Sequence, residues 1–414
     1  MEMPAGTEDG PGTDAGREGR IYGKTGIWLI GARGSVATTA VIGLAAIASG
    51  LTKPLGCVTE DEAFRGVHLP DYADLVVGGH DISDVCMAKR AEKLVDAGMV
   101  PGHLVESVRS QLLEADGRVR PGYDPAGTAE PQADAAYRLS GDILEFRKVN
   151  GLQRVIVLDV ASTEAPPDQL DEFTDVGRLK AALQDPAQSV LPASSVAAYA
   201  AVMSGSPYIC FTPSTALAIP ALYELAGADG VPTAGQDGKT GQTWLRSVLA
   251  PALSARGLRV LSWAGTNLLG GGDGATLADS RAVSGKLQSK NRGLRELAGG
   301  AVTPLHIDNV QDLGETKVAW DHINVEGFLG SRLTIQTIWS AYDSMLAAPM
   351  VLDLARLMAL ADAAGETGHV GALGFFFKDP WGSGEHSFAQ QTNNLVQWAV
   401  GATGRLPSTT GDQR

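Results

Sequence analysis

The 414-residue sequence predicts an α/β protein built on a parallel β-sheet. Near the start, the apolar run GIWLI (26–30) leads into GARGSVATT (31–39) and then an alanine-rich stretch. Strand, glycine turn and helix in that order open a nucleotide-binding βαβ unit. Further apolar runs alternate with helix-like segments, which predicts a sheet covered on both faces. The runs are 75–78, 155–160 and 207–211, and the helix-like segments are 84–98 and 193–204.

Two regions of the chain differ from this pattern in composition or in the order of their segments. Residues 110–140 are polar and rich in proline and glycine, which predicts a long surface connection. From about residue 240 a second α/β unit is predicted, ending in an apolar helix. Its segments are an apolar run at 258–263, a polar helix at 279–298, alternating segments at 317–328 and 332–339, and helices at 343–364 and 387–403.

Charge and composition exclude several classes of partner. The formal net charge is 33 − 47 = −14, so no global positive field attracts nucleic acid or an anionic membrane. A small phosphorylated substrate stays compatible, because a few local lysines can override the average. The three cysteines are widely spaced without a CxxC pair, which favours a reducing compartment and therefore a cytoplasmic location.

Two segments bear on targeting and membranes. The first twenty residues are rich in glycine, proline and acids, so they are predicted to be disordered, and they lack the basic and apolar regions of a signal peptide. Residues 35–51 carry no charge, but alanine, serine, threonine and glycine dominate them. A membrane span needs about 20 strongly apolar residues. We therefore expect a buried helix and no membrane partner.

The glycine loop is the first candidate binding site. Gly31 and Gly34 stand between strand and helix, and the N–H groups at a helix start can bind phosphate. Arg33 occupies a position where close approach of a pyrophosphate would favour glycine, and a simple tight turn remains an alternative. Asp81, after the next strand, has two interpretations: it accepts ribose hydroxyls, or it caps the following helix.

Four lysines are candidates for proton transfer or anion binding. Lys286 and Lys290 are four residues apart, so on a helix they share one face, which suits either solvent or a bound anion. Lys317 and Lys378 lie in apolar surroundings, where burial lowers a lysine pKa and suits it to proton transfer. The seven histidines show no metal-ligand spacing, so any metal ligands stay unknown.

Several long motifs together resemble the myo-inositol-phosphate synthases, over about residues 26–380. VPTAGQDGKTGQT (231–243) is similar to that family's V-P-I-A-G-D-D-x-K-S-G-Q-T, and NLLGGGDG (267–274) resembles N-H-L-G-N-N-D-G. The order and spacing of the motifs also agree. The others are GGHDISD (78–84), VASTE (160–164), ETKVAWD (315–321) and DSMLAAPMVLDL (343–354).

The resemblance implies a fold and a set of partners. It implies a Rossmann-type NAD-binding domain with an inserted α/β catalytic and tetramerisation domain, hence a homotetramer. It also implies a phosphorylated sugar as substrate, NAD as cofactor and a monovalent or divalent cation as a further option. The expected division is a disordered N-terminus (1–20), the NAD-binding domain (21–242 plus 346–404), the catalytic domain (243–345) and a flexible tail (405–414).

The chemistry implied by the resemblance is an internal redox and aldol sequence. NAD+ oxidises a hydroxyl carbon of an acyclic hexose phosphate, an enolate closes the carbocycle, and reduction of the ketone regenerates NAD+. Positive charge near the enolate stabilises it. The catalytic residues carried over are Lys286, Lys290, Lys317, Lys378, Asp273 and Asp321. The cofactor-binding residues are Gly31, Arg33, Gly34, Ser35, Val36, Asp81, Ser162, Thr163, Asp237, Thr240, Gly272, Asp343 and Ser344. The substrate-binding residues are Thr212, Ser214, Thr215, Asn267, Leu268 and Gly271.

Departures from the family pattern leave the substrate open. Gly271 and Gly272 replace paired asparagines, Leu268 replaces a histidine, and FTPSTA (211–216) replaces G-S-P-Q-N-T. The lysines and aspartates are retained while amide donors are lost. Inositol phosphate formation from glucose 6-phosphate and closure of fructose 6-phosphate, or a related ketose phosphate, to a five-membered carbocycle in specialised metabolism both fit. A sugar-phosphate dehydrogenase with net redox is an alternative of another class.

Overall fold

The structure is a computed structural model that describes residues 22–127, 130–270 and 300–407. Several expectations concern residues outside these ranges. They are the disordered N-terminus (1–20), the polar helix at 279–298, most of the flexible tail, and the site residues Gly271, Gly272, Asp273, Lys286 and Lys290.

Within the described residues, the larger of two sheets has seven strands and is parallel throughout, as the sequence predicts. The interiors of its central strands are apolar, because helices cover both faces of a parallel sheet, and charged residues stand only at the strand ends. In space the strands follow the order β11-β6-β5-β4-β1-β2-β3. Their bounds are β1 Thr25–Ile30, β2 Leu75–Asp81, β3 Val119–Pro121, β4 Arg154–Asp159, β5 Tyr208–Cys210, β6 Pro232–Gly235 and β11 Gly368–His369.

Helices pack around this sheet, and the expected buried helix near the N-terminus is confirmed. That helix is α1 (Ser35–Ala48), and it packs against α10 (Asp343–Ala363). By length and composition α10 would span a membrane, but 78% of its most apolar stretch is buried inside the protein. The remaining helices are α2 Met87–Asp96, α3 Gly102–Ser107, α4 Arg109–Asp116, α5 Gln132–Val149, α6 Val176–Leu183, α7 Ala193–Met203, α8 Pro220–Ala226, α9 Gln242–Ala255 and α11 Phe388–Thr403.

In the described part of the chain, the smaller sheet has four strands in the order β10-β9-β7-β8. β9 pairs antiparallel with both β10 and β7, and β8 pairs parallel with β7. α9 packs against β7 of this sheet. All four strands fall within the predicted catalytic segment 243–345, although that domain boundary stays a prediction. Their bounds are β7 Arg259–Leu269, β8 Leu305–Asn309, β9 Thr316–Glu326 and β10 Arg332–Tyr342.

One element of the sequence prediction is wrong. Residues 110–140 do not form a long surface connection, because they contain most of α4, the edge strand β3 and the first half of α5. Polar residues dominate their composition, but the apolar positions recur at helical spacing and are buried. Leu112, Ala115, Ala135 and Leu139 are each at most 3% exposed. Tertiary packing of a narrow apolar face outweighs the polar average here.

Candidate active site

A cavity of about 770 Å³ opens at the carboxyl ends of the parallel strands. Residues after β1, β2, β4 and β5 line it, together with the end of β7, the start of β9 and the start of α10. Ligands of open parallel sheets bind at this edge, where the strand order reverses between β1 and β4. Most of the predicted site residues that the structure describes meet in this cavity. They are Gly31, Arg33, Gly34, Ser35, Val36, Asp81, Ser162, Thr163, Thr212, Ser214, Asp237, Thr240, Lys317, Asp343, Ser344 and Lys378.

One end of the cavity has the form of a dinucleotide site. Gly31 has φ +79°, and a Cβ on it would lie 2.6 Å from the Cα of Ala161, so only glycine permits this approach of the β1–α1 loop to the end of β4. The first turn of α1 contains no acidic residue, and Gly34 at its N-cap has no side chain. The N–H groups at the start of α1 therefore face the cavity through Ser35 and Val36 and can bind an anion.

Asp81 is fixed at the end of β2 by two backbone donors. The N–H groups of Arg33 and Ser83 each donate to its carboxylate at 2.7 Å. The alternative that Asp81 caps the next helix is wrong, because α2 starts at Met87 with Cys86 at its N-cap. Asp81 lines the cavity, and each of its oxygens can accept a further hydrogen bond, as recognition of ribose hydroxyls requires.

Arg33 lies beside this carboxylate but its guanidinium turns away from the loop. It donates to the Asp116 carboxylate at 2.9 Å and to the Ser83 carbonyl at 2.7 Å. Its Asp116 hydrogen bond raises its pKa further above the ordinary arginine value. The side chain thus leaves space above the glycine turn, which explains how arginine is tolerated at that position.

The other end of the cavity holds two lysine–carboxylate pairs. Lys378 Nζ lies 2.7 Å from Asp237 Oδ1, and Lys317 Nζ lies 3.0 Å from Asp343 Oδ2. The lysine side chains are 11% and 12% exposed, so both are largely desolvated while still facing the cavity. Asp237 has φ +62°, a strained conformation for a residue with a side chain. The strain is typical of a functional site.

The pair formed by Lys317 is extended by a hydroxyl. Thr240 Oγ1 donates to the second oxygen of Asp343 at 2.7 Å. Desolvation raises the pKa of the Asp343 carboxyl, but the Lys317 charge, the Thr240 hydrogen bond and the Lys378 charge outweigh it and hold that pKa well below its usual range. A lysine held this way can stabilise a developing oxyanion or exchange a proton with it.

Four of the predicted site residues lie away from the described lining of the cavity. Asp321 lies four residues along β9 from Lys317, about 13 Å deeper in the sheet. It is 1% exposed, and it accepts hydrogen bonds from Arg246 Nη2 at 2.7 Å, Trp263 Nε1 at 2.8 Å and Gln242 Nε2 at 2.9 Å. The structure therefore places Asp321 in a buried hydrogen-bonded network outside the described lining of the cavity, and its expected catalytic role stays a prediction.

The other three are predicted substrate-binding residues. Asn267 is fully buried and donates to Gln242 Oε1 at 2.6 Å, so it belongs to the same network as Asp321. Leu268, on the opposite face of β7, and Thr215, after Ser214, are also outside the described lining. Among the described residues around β7, only Leu269 and the following Gly270 line the cavity. Strand alternation places Leu268 on the opposite face, and Asn267 lies two residues before the end of the strand.

Several lining residues are absent from the sequence prediction. Asp159 ends β4, is 1% exposed and accepts from Ala161 N at 3.1 Å and Tyr208 Oη at 3.3 Å. Burial raises its pKa to about 7. Glu164 accepts from Ser194 N at the start of α7, and His80 precedes Asp81, the last residue of β2. Asp159 and His80 carry a usable signal, since each is a polar residue at the end of an apolar run in a parallel sheet.

His80 is held as a neutral ring. Trp28 Nε1 can only donate, and it lies 2.9 Å from His80 Nδ1, so this nitrogen accepts and Nε2 carries the hydrogen toward Asp142 at 3.1 Å. Burial lowers its pKa, although Asp142 opposes the shift. These two contacts fix the tautomer and the orientation of the His80 ring in the cavity wall.

The sequence matches the family described as myo-inositol-1-phosphate synthase over residues 25–399. The chain belongs to this family. An inositol-3-phosphate synthase of Bacteroides thetaiotaomicron is 32% identical over 407 residues, covering 91% of this chain and 94% of the relative. A rice inositol-3-phosphate synthase is 28% identical, covering 82% and 75%. The resemblance read from the motifs is confirmed, and the protein is an inositol-3-phosphate synthase-like, NAD-dependent isomerase.

Solved structures of synthase-family proteins share the fold. The inositol-3-phosphate synthase of Caenorhabditis elegans superposes with a TM-score of 0.79 at 24% identity, covering 94% of this chain and 88% of that one. A myo-inositol-1-phosphate synthase-related protein of Thermotoga maritima gives 0.68 at 22% identity, covering 92% and 99%. Both confirm the α/β architecture with its Rossmann-type domain.

The residues of the cavity fit the NAD that the synthase family uses. The glycine cradle at Gly31 and the open start of α1 suit the pyrophosphate, and Asp81 suits a ribose. NAD bound there would accept a hydride from the substrate and return it. For the expected cation the ligands stay unassigned, since the described residues contain no group of three or more His, Cys, Asp or Glu arranged around a metal.

Proposed function

We propose that the protein closes a hexose phosphate to a cyclitol phosphate with no net redox, as an inositol-phosphate synthase acting on glucose 6-phosphate. The observation that carries this proposal is the placement of two lysine–carboxylate pairs in the same cavity as the dinucleotide features. A dehydrogenase needs one proton acceptor near the reacting hydroxyl. A cyclase must also stabilise an enolate and protonate a new alkoxide, which gives a second cation a use.

The chain's own residues divide these tasks. Lys378 and Lys317 present ammonium groups that stabilise oxygen anions and exchange protons at the reacting carbons. Asp237 and Asp343 orient them, and Thr240 orients Asp343. The low exposure of both lysines excludes water from the charges and strengthens each electrostatic contact. Lys286, Lys290 and Asp273 are assigned to the carbonyl and phosphate end by the resemblance.

The decisive experiment incubates purified protein with NAD+ and glucose 6-phosphate and follows the product by NMR. We expect a six-membered cyclitol phosphate, with no accumulation of absorbance at the NADH band. Steady growth of that band would instead support the dehydrogenase with net redox. If the protein consumed neither glucose 6-phosphate nor fructose 6-phosphate, the proposal would be contradicted.

A second candidate is closure of fructose 6-phosphate, or a related ketose phosphate, to a five-membered carbocycle in specialised metabolism. Thr212 and Ser214 line the cavity in the segment where the resembling enzymes carry amides. Hydroxyls are shorter donors than amides, so they favour a differently placed substrate chain. A parallel incubation with fructose 6-phosphate tests this, because the number of ring carbons in the product NMR spectrum separates the two reactions.

We also propose a homotetramer, in the cytoplasm, assembled through the smaller sheet. α9 covers one face of that sheet, while Trp320 and Ile338 lie directly opposite each other on the other face and are 37% and 75% exposed. Phe328 and Leu329 at the β9–β10 turn are 86% and 89% exposed. Apolar side chains of this size are typical of an interface. Light scattering of wild type and Ile338→Lys tests it, and a monomeric wild type would contradict it.

A further inference from the structure

The segment 236–240, between β6 and α9, contacts both lysine–carboxylate pairs: it supplies Asp237 to one pair and the Thr240 hydroxyl to the other. The Asp237 carboxylate accepts from Lys378 Nζ, and the Asp237 carbonyl accepts from Lys378 N at 2.8 Å. Thr240 binds Asp343, which in turn binds Lys317. A shift of this short segment therefore displaces both lysines at once.

Lys239 lies in the middle of the segment, but its side chain leaves the cavity. It is 6% exposed, and its backbone N–H donates to the Phe376 carbonyl at 2.8 Å. Its Nζ donates to Gln391 Oε1 on α11 and lies 5.8 Å from the centre of the Phe388 ring. Gln391 is buried as well, and its amide nitrogen donates to the Gly374 and Glu385 carbonyls. The side chain thus anchors the segment to α11.

Burying the Lys239 amine lowers the stability of the folded protein. Within the described residues, no carboxylate forms an ion pair with Lys239, and its described neighbours Gln391, Phe388 and Phe376 are uncharged. The Glu385 carbonyl, rather than its carboxylate, faces Gln391. Burial lowers the pKa of Lys239 from 10.5 to about 7. A methionine would fill a similar volume without the desolvation of an amine, so stability alone does not explain a lysine here.

The sign of the effect follows from linkage. Between pH 7 and pH 10.5 the unfolded chain binds a proton at Lys239 that the folded protein does not. Stability therefore rises with pH across that range, and the full penalty is present below about pH 7.

We propose that Lys239 is a positioning residue: its neutral amine anchors the 236–240 segment on α11, and its protonation disturbs both lysine–carboxylate pairs. A protonated amine has three hydrogens to donate and one described acceptor, Gln391 Oε1. The ammonium is drawn toward water, and the backbone that carries Asp237 and Thr240 moves with it. The proposal deepens the proposed function and rests on it for the catalytic consequence.

The direct test follows the lysine ¹³Cε signals by NMR between pH 5 and pH 10, in the full chain without substrate. The Lys239 signal is assigned by its loss in Lys239→Met. We expect the Lys239 signal to titrate with a midpoint near pH 7, and we expect the Lys317 and Lys378 signals to shift with the same midpoint. In Lys239→Met the shared midpoint should disappear. An ordinary Lys239 titration, or unchanged Lys317 and Lys378 curves in the variant, would overturn the proposal.

Activity and stability give the second readout. Lys239→Met should melt at the same or a higher temperature than wild type at pH 6, while its kcat falls by about 10-fold or more, since small misplacements of catalytic groups have effects of this size. KM should change little, and the acid side of the kcat profile should lose its Lys239 component. Lys180→Met, at an exposed position on α6, is the matched control and should change neither.

Two further variants separate the proposal from its neighbours. Gln391→Met removes the acceptor and should reproduce the kcat loss with Lys239 still present. Lys239→Arg keeps a charge at every pH and should be the least stable of the set. If the lysine signals share the expected pH midpoint but the wild type forms no carbocyclic product, the proposed function is refuted and the positioning role of Lys239 stands.

Discussion

Two groups of paired aspartates show how differently one carboxylate can be used. Asp321 sits inside the smaller sheet with Arg246, and the two side chains are each 2% exposed. Asp237 and Asp343 sit at the cavity, each with a lysine that still faces it. An arginine with Trp263 and Gln242 around the same carboxylate leaves it no vacancy for a substrate. Lys317 and Lys378 each bind a carboxylate at the edge of the cavity, where a substrate oxygen can approach them.

The comparison shows that the basic partner of an aspartate, rather than the aspartate itself, determines whether the pair has a structural or a catalytic role. Arginine stays charged and binds the carboxylate in a fixed planar geometry. Lysine is a point charge on a flexible stem, and its proton can leave. The four predictions below test this difference, starting with the largest effect.

Removing a cavity lysine should abolish turnover without unfolding the protein. Lys378→Met and Lys317→Met should each lower kcat by roughly 10³-fold, because each loses a cation that acts on the reacting oxygens. Melting temperatures should change by only a few degrees. The measurement is product formation by NMR together with thermal denaturation. Full activity in either variant would show that the pair is structural, like Arg246–Asp321.

Breaking the buried arginine pair should have the reverse signature. Asp321→Asn leaves Arg246 charged, buried and without its counterion, which should destabilise the protein by about 3 kcal/mol. Denaturant unfolding measures the loss. Remaining folded protein should keep most of its kcat, since Asp321 does not line the described cavity. A large fall in kcat at unchanged stability would return Asp321 to the catalytic set.

Asp81 is a third kind of carboxylate, held by backbone N–H groups alone. Asp81→Asn should weaken NAD+ binding by roughly 30-fold, because a charged acceptor for the ribose hydroxyls is lost and one backbone donor faces an amide hydrogen. Isothermal calorimetry measures the affinity without any reaction. Ser35→Ala, at the start of α1, is the matched control with a smaller expected loss. Equal losses would place the ribose elsewhere.

The smallest effect is expected at the hydroxyl that supports Asp343. Thr240→Val removes one hydrogen bond, about 1 kcal/mol, and should raise the Asp343 pKa. A carboxyl whose folded pKa is depressed contributes stability above its unfolded pKa, near 3.8, and loses it as pH falls through the folded value. The variant should therefore unfold in acid at a higher pH than wild type. Identical acid unfolding curves would show that the lysine charges set this pKa without the Thr240 hydrogen bond.

Much of the site was predictable from local sequence. GARGSVATT lies between a strand and a helix in the sequence, so its role at the sheet edge follows from neighbouring residues. Lys317 and Lys378 stood out because a lysine in an apolar run is unusual. Asp159 was missed although the same logic applies, since an aspartate at the end of VIVL is equally unusual.

Other features were beyond sequence reasoning. Lys317 and Asp321 share one face of β9, and strand alternation cannot show which end of that face meets the cavity. Lys239 lies between Asp237 and Thr240 in the chain, yet its buried amine binds Gln391, which is 152 residues away. The polar composition of 110–140 concealed a narrow buried face.

The sequence by itself determined the α/β class, the glycine turn before α1 and the family, because these depend on local periodicity and on motifs of fixed order. Only the tertiary structure decided which charges meet. It brought Lys317 and Lys378 to the cavity, enclosed Asp321 with Arg246, and turned Lys239 onto α11. The physical reason is that the state of a charge depends on its solvent exposure and its partners, and both come from distant parts of the chain.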